Sequence, residues 1–415
     1  MADGRRVNCG HFGRLALNDE IVGILYGNDV SIVSCEQYLT TMPQHMIHHE
    51  SKICPLAGIG VSFVLFASLS VVAQTETPTP LPQPPHILVL DNCDSDYKVP
   101  PFNDGVLFLN SKGEVINKIG GLNICQNVGG NRAISVSRDG RFFVVCENVA
   151  KKITAYDLLT GNEIWSLPGE FICAAIDQGV TYALTSDGRI YGNGILAIDS
   201  RGNITKQSAV ITGYDIVVDP NAKVLWSVGG DIKKCDMNLQ AVRTIDCITW
   251  CAVSVAINPD GSIWVAEREH IDHTGSQNRL LKISSQGQVL QTVPLNDLSP
   301  LCVRVNQPDC SVWVTGICLR IKKRLSFRQW PPAWRRTYKY VGPRTYKYSP
   351  QGKLLLQIKR GGHSIDLDPV DGSVWIADRT KLWHYSCEGK RLGTCDDVSD
   401  DNKWITVVPG KDAGN

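Results

Sequence analysis

The sequence has almost no excess of charge: 42 Lys and Arg against 41 Asp and Glu leave a formal net charge of +1 over 415 residues. That excludes a global electrostatic pull toward nucleic acid or acidic membranes, so a charged partner has to be met by a local patch. No Cys-x-x-Cys pair occurs, which excludes a zinc knuckle and a thioredoxin-like redox site. Beyond residue 73 no stretch offers a sustained helical period, so the folded part is built from other elements. Histidine is scarce there too, with only His86, His270, His273, His363 and His384.

Long apolar runs are also lacking, with one exception. Residues 53–73 (ICPLAGIGVSFVLFASLSVVA) carry no charge and are long enough to cross a bilayer as a helix. If translation starts at Met46, the order becomes that of a signal peptide: a polar stretch with Lys52, an apolar core, then small residues before Gln74. Residues 1–45 then read as an over-extended start or a leader, and 46–73 as the signal. The alternative is a single-pass anchor behind a tail carrying Arg5, Arg6 and Arg14. Both readings put the rest of the chain outside the cytoplasm, secreted, periplasmic or membrane-anchored. Cys54 opens the apolar run rather than following it, so it is not a lipoprotein cysteine. Residues 74–86, with Pro78, Pro80, Pro82, Pro84 and Pro85, read as a semi-rigid polyproline spacer. Of the 15 cysteines, all but Cys9, Cys35 and Cys54 lie beyond the apolar run, which favours an oxidising compartment. Cys302 with Cys310, and Cys387 with Cys395, have spacings that can bridge adjacent strands. The other reading is small apolar residues buried in strands.

What is present in abundance is a repeat. An apolar strand ends in a tight turn often written Asp-Gly, a second strand carries an aromatic three residues on, and a third strand, a second Gly turn and a fourth strand follow. The clearest copy is SVAINPDGSIWVAE (254–267) with RLLKISSQGQVLQTVPL (279–295); its sisters begin at Ala133, Asp215, Cys302 and Ser364. The first turn is expected at Gly140, Gly179, Ala222, Gly261, Cys310 and Gly372, and the second at Gly113, Gly161, Gly202, Asn238, Gly287, Gly352 and Gly389. The aromatics are Phe143, Tyr182, Trp226, Trp264, Trp313 and Trp375, read as packing between blades. Seven second turns against six first turns fit a ring in which HILVLDN and KWITVVP join the two ends in one sheet. The expectation is an all-β propeller over residues 87–410, of about seven four-stranded blades, or six if one weak copy (172–209 or 214–246) is misjudged.

These repeats resemble the NHL and YVTN-type propellers of bacterial exported proteins, in which a strand ending in Asp-Pro or Asn-Pro precedes Asp-Gly, an apolar-aromatic strand and a second Gly turn. AYDLLTGNEIW (155–165) is similar to a quinoprotein blade motif but occurs once, so no cofactor is expected. GSIWVAE resembles the repeat of streptogramin lyases and gluconolactonase-like propellers, which would imply His and Glu side chains at the channel mouth.

Two segments depart from the repeat length. In the fifth blade REHIDHTGSQN, just after Glu267, brings Glu267, Glu269, His270, Asp272 and His273 together, a set whose chemistry suits either a divalent cation or acid and base work. Glu267, His270 and His273 are the candidates for a lyase or lactonase, although the histidines do not match a full catalytic set; a solvated polar loop is the plainer reading, and no metal site is expected. In the sixth blade residues 320–348 hold ten Lys or Arg and no acid, interleaved with aromatics. Lys322, Lys323, Arg324, Arg328, Trp330, Trp334, Arg335 and Arg336 are the candidate ligand contacts there. Rings can stack on a ligand while cations hold phosphate or carboxylate. Export argues against nucleic acid, leaving anionic lipid, acidic polysaccharide or a protein. RTYKY occurs twice, at 336–340 and 344–348, so a recent duplication lengthening a hairpin is the competing explanation. The favoured function is an exported binding scaffold, the alternative a propeller enzyme.

Overall fold

A computed structural model describes residues 24–26, 29–31, 84–91, 105–122, 132–147, 150–186, 192–209, 211, 213–246, 251–268, 278–326, 333–378, 381–396, 398 and 403–409. The chain divides into two compact units, Met1–Gln74 and Thr75–Asn415. In the first, β1 (Ile24–Tyr26) and β2 (Asp29–Ser31) pair antiparallel.

The second unit consists of seven four-stranded antiparallel sheets, the blades of a propeller. In chain order β3 (Ile87–Asp91), β4 (Gly105–Leu109) and β5 (Val115–Gly120) begin blade one. Blade two is β6 (Ile134–Val136), β7 (Phe142–Glu147), β8 (Lys152–Asp157) and β9 (Glu163–Pro168). Blade three is β10 (Phe171–Asp177), β11 (Val180–Ser186), β12 (Gly192–Ile198) and β13 (Ile204–Ser208). Blade four is β14 (Asp215–Asp219), β15 (Val224–Val228), β16 (Asp231–Asp236) and β17 (Ala241–Asp246). Blade five is β18 (Cys251–Ile257), β19 (Ile263–Arg268), β20 (Arg279–Ile283) and β21 (Val289–Pro294). Blade six is β22 (Leu298–Val305), β23 (Val312–Ser326), β24 (Ala333–Tyr348) and β25 (Leu354–Ile358). Blade seven is β26 (Ser364–Leu367), β27 (Val374–Ala377), β28 (Leu382–Tyr385) and β29 (Arg391–Cys395). Finally β30 (Lys403–Val407) returns to pair with β3, Ile87 opposite Val407 and Asp91 opposite Lys403, so blade one is built from both ends of the chain.

The turn residues explain why the repeat folds this way. Gly140, Gly179, Gly261 and Gly372 all have positive φ, which glycine adopts without a Cβ clash and tight hairpins require. Blade four differs from expectation by one residue at both turns: the left-handed positions are Lys223 (φ 50°) and Leu239 (φ 61°), not Ala222 and Asn238. Leu239 is 1 % exposed inside the core, so burial of its side chain offsets the strained backbone. The slip also accounts for Trp226 arriving one residue late.

The second-strand aromatics are the largest fully buried side chains of the repeat, with Trp226, Trp264, Trp313 and Trp375 at 0–1 % exposure. Each packs with residues of the following blade: Trp264 with Val303 and Val314, Trp313 with Ile365 and Trp383, Trp375 with Leu109 and Val407. The cross-strand partner is repeated as well. Lys234, Lys282 and Lys347 lie opposite Trp226, Trp264 and Trp313 in register, with their ammonium groups 5.4–5.8 Å from the ring centroids. Blade seven replaces the lysine by His384, whose ring stacks on Trp375 at 4.0 Å.

Around the axis, the innermost strands are stitched to one another by side chains. Asp215 on β14 is fully buried and accepts from Val255 N of blade five (3.1 Å), Ser254 Oγ (3.0 Å), Ile216 N (3.0 Å) and Arg132 Nε of blade two (3.0 Å). Arg132 also donates to the Val255 carbonyl (2.8 Å). Ser254 Oγ accepts from Val303 N of blade six (3.2 Å), and Asp366 Oδ2 of blade seven accepts from Val407 N (2.8 Å). Arg304 donates to Asp366 Oδ1 at 3.2 Å; burial disfavours its charge, but the surrounding Cys302, Asp366 and Asp215 together outweigh that and hold the guanidinium protonated.

The nine cysteines among the described residues are unbridged. Cys302 is buried with its thiol directed at the Ile365 carbonyl (3.8 Å), Cys310 occupies a left-handed turn position, and Cys387 donates to Glu388 (2.7 Å). Neither candidate pair is a disulfide here. Burial pushes the thiols of Cys146, Cys173 and Cys302 up, which keeps them in the inert, protonated form. No helix among the described residues is long and apolar enough to cross a membrane, and residues 53–73 lie outside them.

Candidate functional site

In the fifth blade, Glu267 is 1 % exposed and ion-paired with Arg279, directly opposite it on β20. In blade two Glu147, one residue further from its turn than Glu267 is, pairs with Lys152 (3.2 Å) and accepts from Thr154 Oγ1 (2.7 Å). Two blades therefore carry, near the end of the second strand, a buried carboxylate tied to the third. Glu269, His270, Asp272 and His273 lie outside the described residues.

The sixth-blade segment is mostly strand, the lengthened hairpin of the competing explanation. β23 and β24 run for 15 and 16 residues, while no other strand among the described residues exceeds eight. Pairing continues from Val312 opposite Tyr348 to Ser326 opposite Ala333, so the second and third strands of the blade extend into a two-stranded ribbon. The neighbouring strands stop early: β22 pairs with β23 only as far as Cys318, and β25 pairs with β24 only over Thr345–Tyr348. Period-two alternation of Val, Thr and Tyr through the lower part explains the strand; positive charge concentrated at the upper part hides the same alternation from a reading by composition.

The root of the ribbon is firmly held. Tyr346 OH donates to Asp297 (3.1 Å), and the Cys318 thiol donates to the same carboxylate (3.2 Å). Burial, then the adjacent Asp297, pushes the Tyr346 hydroxyl up, and burial followed by the Asp297 hydrogen bond does the same for Cys318, so both remain donors. Lys347 donates to Asp309 in the β22–β23 turn of its own blade (3.1 Å) and ties the root to blade seven through the Cys387 carbonyl (3.0 Å). Thr315 accepts from Gly362 N at 3.0 Å. A bulge separates root from ribbon: Cys318 is opposite Gly342 but Leu319 is opposite Tyr340, leaving Val341 as the extra residue. The two RTYKY copies fall on either side of it. Tyr346 and Tyr348 of the second are 5 % exposed in the core, whereas Tyr340 of the first is 62 % exposed.

The register places the candidate residues. Lys323 lies opposite Arg336, Arg324 opposite Arg335, Lys322 opposite Thr337, and Trp334 opposite Leu325. Residues directly opposite share a face, and faces alternate along the strand. One face thus carries Leu319, Ile321, Lys323 and Leu325 with Tyr340, Tyr338, Arg336 and Trp334; the other carries Arg320, Lys322, Arg324 and Ser326 with Lys339, Thr337, Arg335 and Ala333. Arg328 and Trp330 lie outside the described residues. The sequence reading picked out the cations and tryptophans but missed the aliphatic half, Leu319, Ile321 and Leu325; their even spacing, of two and then four residues, was the available signal.

No protein-family model matches the chain, and no curated protein matches it. Solved structures do. Hydrazine synthase from Kuenenia stuttgartiensis is similar with a TM-score of 0.51 and 16 % identity, over 63 % of this chain and 78 % of that one. A functionally unknown protein from Desulfotomaculum acetoxidans gives a TM-score of 0.51 and 13 % identity, over 78 % of this chain and 99 % of the other. BamB from Moraxella catarrhalis aligns over 78 % of this chain and 98 % of its own at 13 % identity, with a TM-score of 0.45. At such identities the first two likenesses speak for the fold alone.

Proposed function

We propose that this chain is an exported propeller that works as an interaction scaffold and meets an anionic partner through the sixth-blade ribbon. The carrying observation is that this hairpin departs from the repeat, with strands about twice the length of any other and a charge of one sign. Export rests on residues 53–73, read as a signal peptide or an anchor, and the repeat type is taken as NHL/YVTN-like from its Asp-Pro and Asp-Gly turns. Lys322, Lys323, Arg324, Arg335 and Arg336 supply the charge, with Arg328, Trp330 and Trp334 completing the contact.

The test is retention of the full chain on immobilised acidic polysaccharide and on anionic vesicles. Replacing Arg335 and Arg336 by Ser is expected to reduce retention on at least one of them, most at low salt, because exposed charges are screened within about 10 Å at 0.1 M salt. Retention that is unchanged by the substitutions on both supports would overturn the assignment.

A further inference from the structure

The geometry points to a more definite partner: the ribbon is a device for lying on an anionic lipid bilayer, a conclusion that rests on the scaffold reading above. Three features of the register lead there. The first is segregation. On one face, six of eight positions are apolar or aromatic (Leu319, Ile321, Leu325, Trp334, Tyr338 and Tyr340), and on the other, five of eight are cations (Arg320, Lys322, Arg324, Arg335 and Lys339). Aliphatic residues among the aromatics suit the acyl boundary rather than a sugar, and Trp and Tyr suit the headgroup level.

The second feature is electrostatic. Arg320 opposite Lys339, Lys323 opposite Arg336 and Arg324 opposite Arg335 set cation against cation at three cross-strand positions, and no acid occurs between residues 319 and 340. Like charges directly opposite one another destabilise a strand pair. A surface of phosphates relieves that repulsion. The third is mechanical: beyond Cys318 and Thr345 neither edge of the ribbon has a strand partner among the described residues, and a free two-stranded hairpin is marginal in water. A bilayer interface supplies both the apolar support and the counter-charge. At about 3.3 Å per residue, eight residues give a contact some 26 Å long. At its base, Tyr340 and Val341 are exposed at 62 % and 39 %.

The experiment is co-sedimentation of the full chain with vesicles of phosphatidylcholine alone and of phosphatidylcholine carrying one part in four phosphatidylglycerol. Retention on the neutral vesicles is the baseline for anything residues 53–73 contribute. Four chains are compared: wild type, Arg324→Ser with Arg335→Ser, Arg324→Lys with Arg335→Lys, and Leu325→Ser with Trp334→Ser. Thermal midpoints establish that each is folded.

The expected result is partition that needs phosphatidylglycerol and falls roughly 30-fold in the double Ser variant, from about fivefold per basic residue near an anionic surface. The Lys variant keeps partition. The apolar-face variant loses the part that persists at high salt. Wild-type binding to neutral and anionic vesicles alike, or no effect of the apolar-face pair, overturns the bilayer inference. Binding to dextran sulfate that is sensitive to Arg324 and Arg335, with no vesicle binding, also overturns it but leaves the scaffold reading standing. Absence of binding to either surface removes both.

Discussion

Asp215 is the buried charge on which the inner ring most depends, and its removal has a calculable consequence. Its carboxylate takes four donors at 3.0–3.1 Å from blades two, four and five, one of them the Arg132 guanidinium. Breaking a buried ion pair by deleting one partner costs about 3–5 kcal/mol, chiefly because the other charge is stranded. Arg132 is 17 % exposed and keeps its bond to the Val255 carbonyl, so the lower end applies: about 3 kcal/mol for Asp215→Ala. Asp215→Asn retains an acceptor for the backbone N–H groups and is expected to lose about 2 kcal/mol. Ser254→Ala, which removes a single bridging hydroxyl, is expected to cost about 1 kcal/mol. Urea unfolding followed by tryptophan emission measures all three, since Trp226 and Trp264 are buried in the interfaces that would open. A double cycle with Arg132→Met isolates the pair. A loss below about 1 kcal/mol for Asp215→Ala, or additivity of Arg132→Met and Asp215→Asn, would refute the view that this network holds neighbouring blades together.

Three further outcomes are expected. Lys223→Gly places glycine at an exposed left-handed residue (φ 50°) and should stabilise by roughly 0.5–1 kcal/mol in the same urea assay; a loss would mean that the lysine side chain has a role that its geometry does not reveal. His384 is held below its ordinary value of 6.5, first by burial against Trp375, so the unfolded chain takes up its proton before the folded one does. Stability should therefore fall as pH drops below about 6.5 and stop falling at the lowered folded value; His384→Gln should flatten that part of the stability-against-pH curve relative to wild type, and an unchanged slope sinks the assignment. Replacing residues 319–341 by an Asn-Gly turn between Cys318 and Gly342 should leave the unfolding midpoint unaltered, because the anchors Asp297, Thr315 and Lys347 all lie outside the excised stretch; a clear drop would show that the ribbon supports the ring.

The architecture was legible because its punctuation is local. Asp-Gly at 260–261 and the single glycines at 202, 287, 352 and 389 announce turns from two or three adjacent residues, and the second-strand aromatic announces the packing between blades. Blade four slipped by one residue because Lys223 and Leu239 adopt backbone that sequence assigns to Gly or Asn, and the burial of Leu239 that sustains one of them is a tertiary fact. The axial network was illegible for the same reason. Arg132 and Asp215 are 83 residues apart, Arg132 and Val255 123, and nothing in either neighbourhood marks the encounter. The ribbon was half legible: its charge stood out, while its division into two faces required the register that pairs Leu325 with Trp334 and Arg324 with Arg335. Glu267, singled out beside two histidines, is ion-paired across the strands with Arg279, a contact of the kind that Glu147 makes with Lys152.

Closure of the ring rests on one short strand, β30, far in sequence from the strand that it covers. A product that stops before residue 403 has every turn and nearly every blade, yet leaves β3 with an open edge and uncovers Leu88, Leu90 and Ile134, which are otherwise 0–3 % exposed. Such a chain presents apolar surface and unpaired backbone, the two features that recruit chaperones and proteases. The five residues of β30 thus decide whether the ring has a closed seam or an open edge.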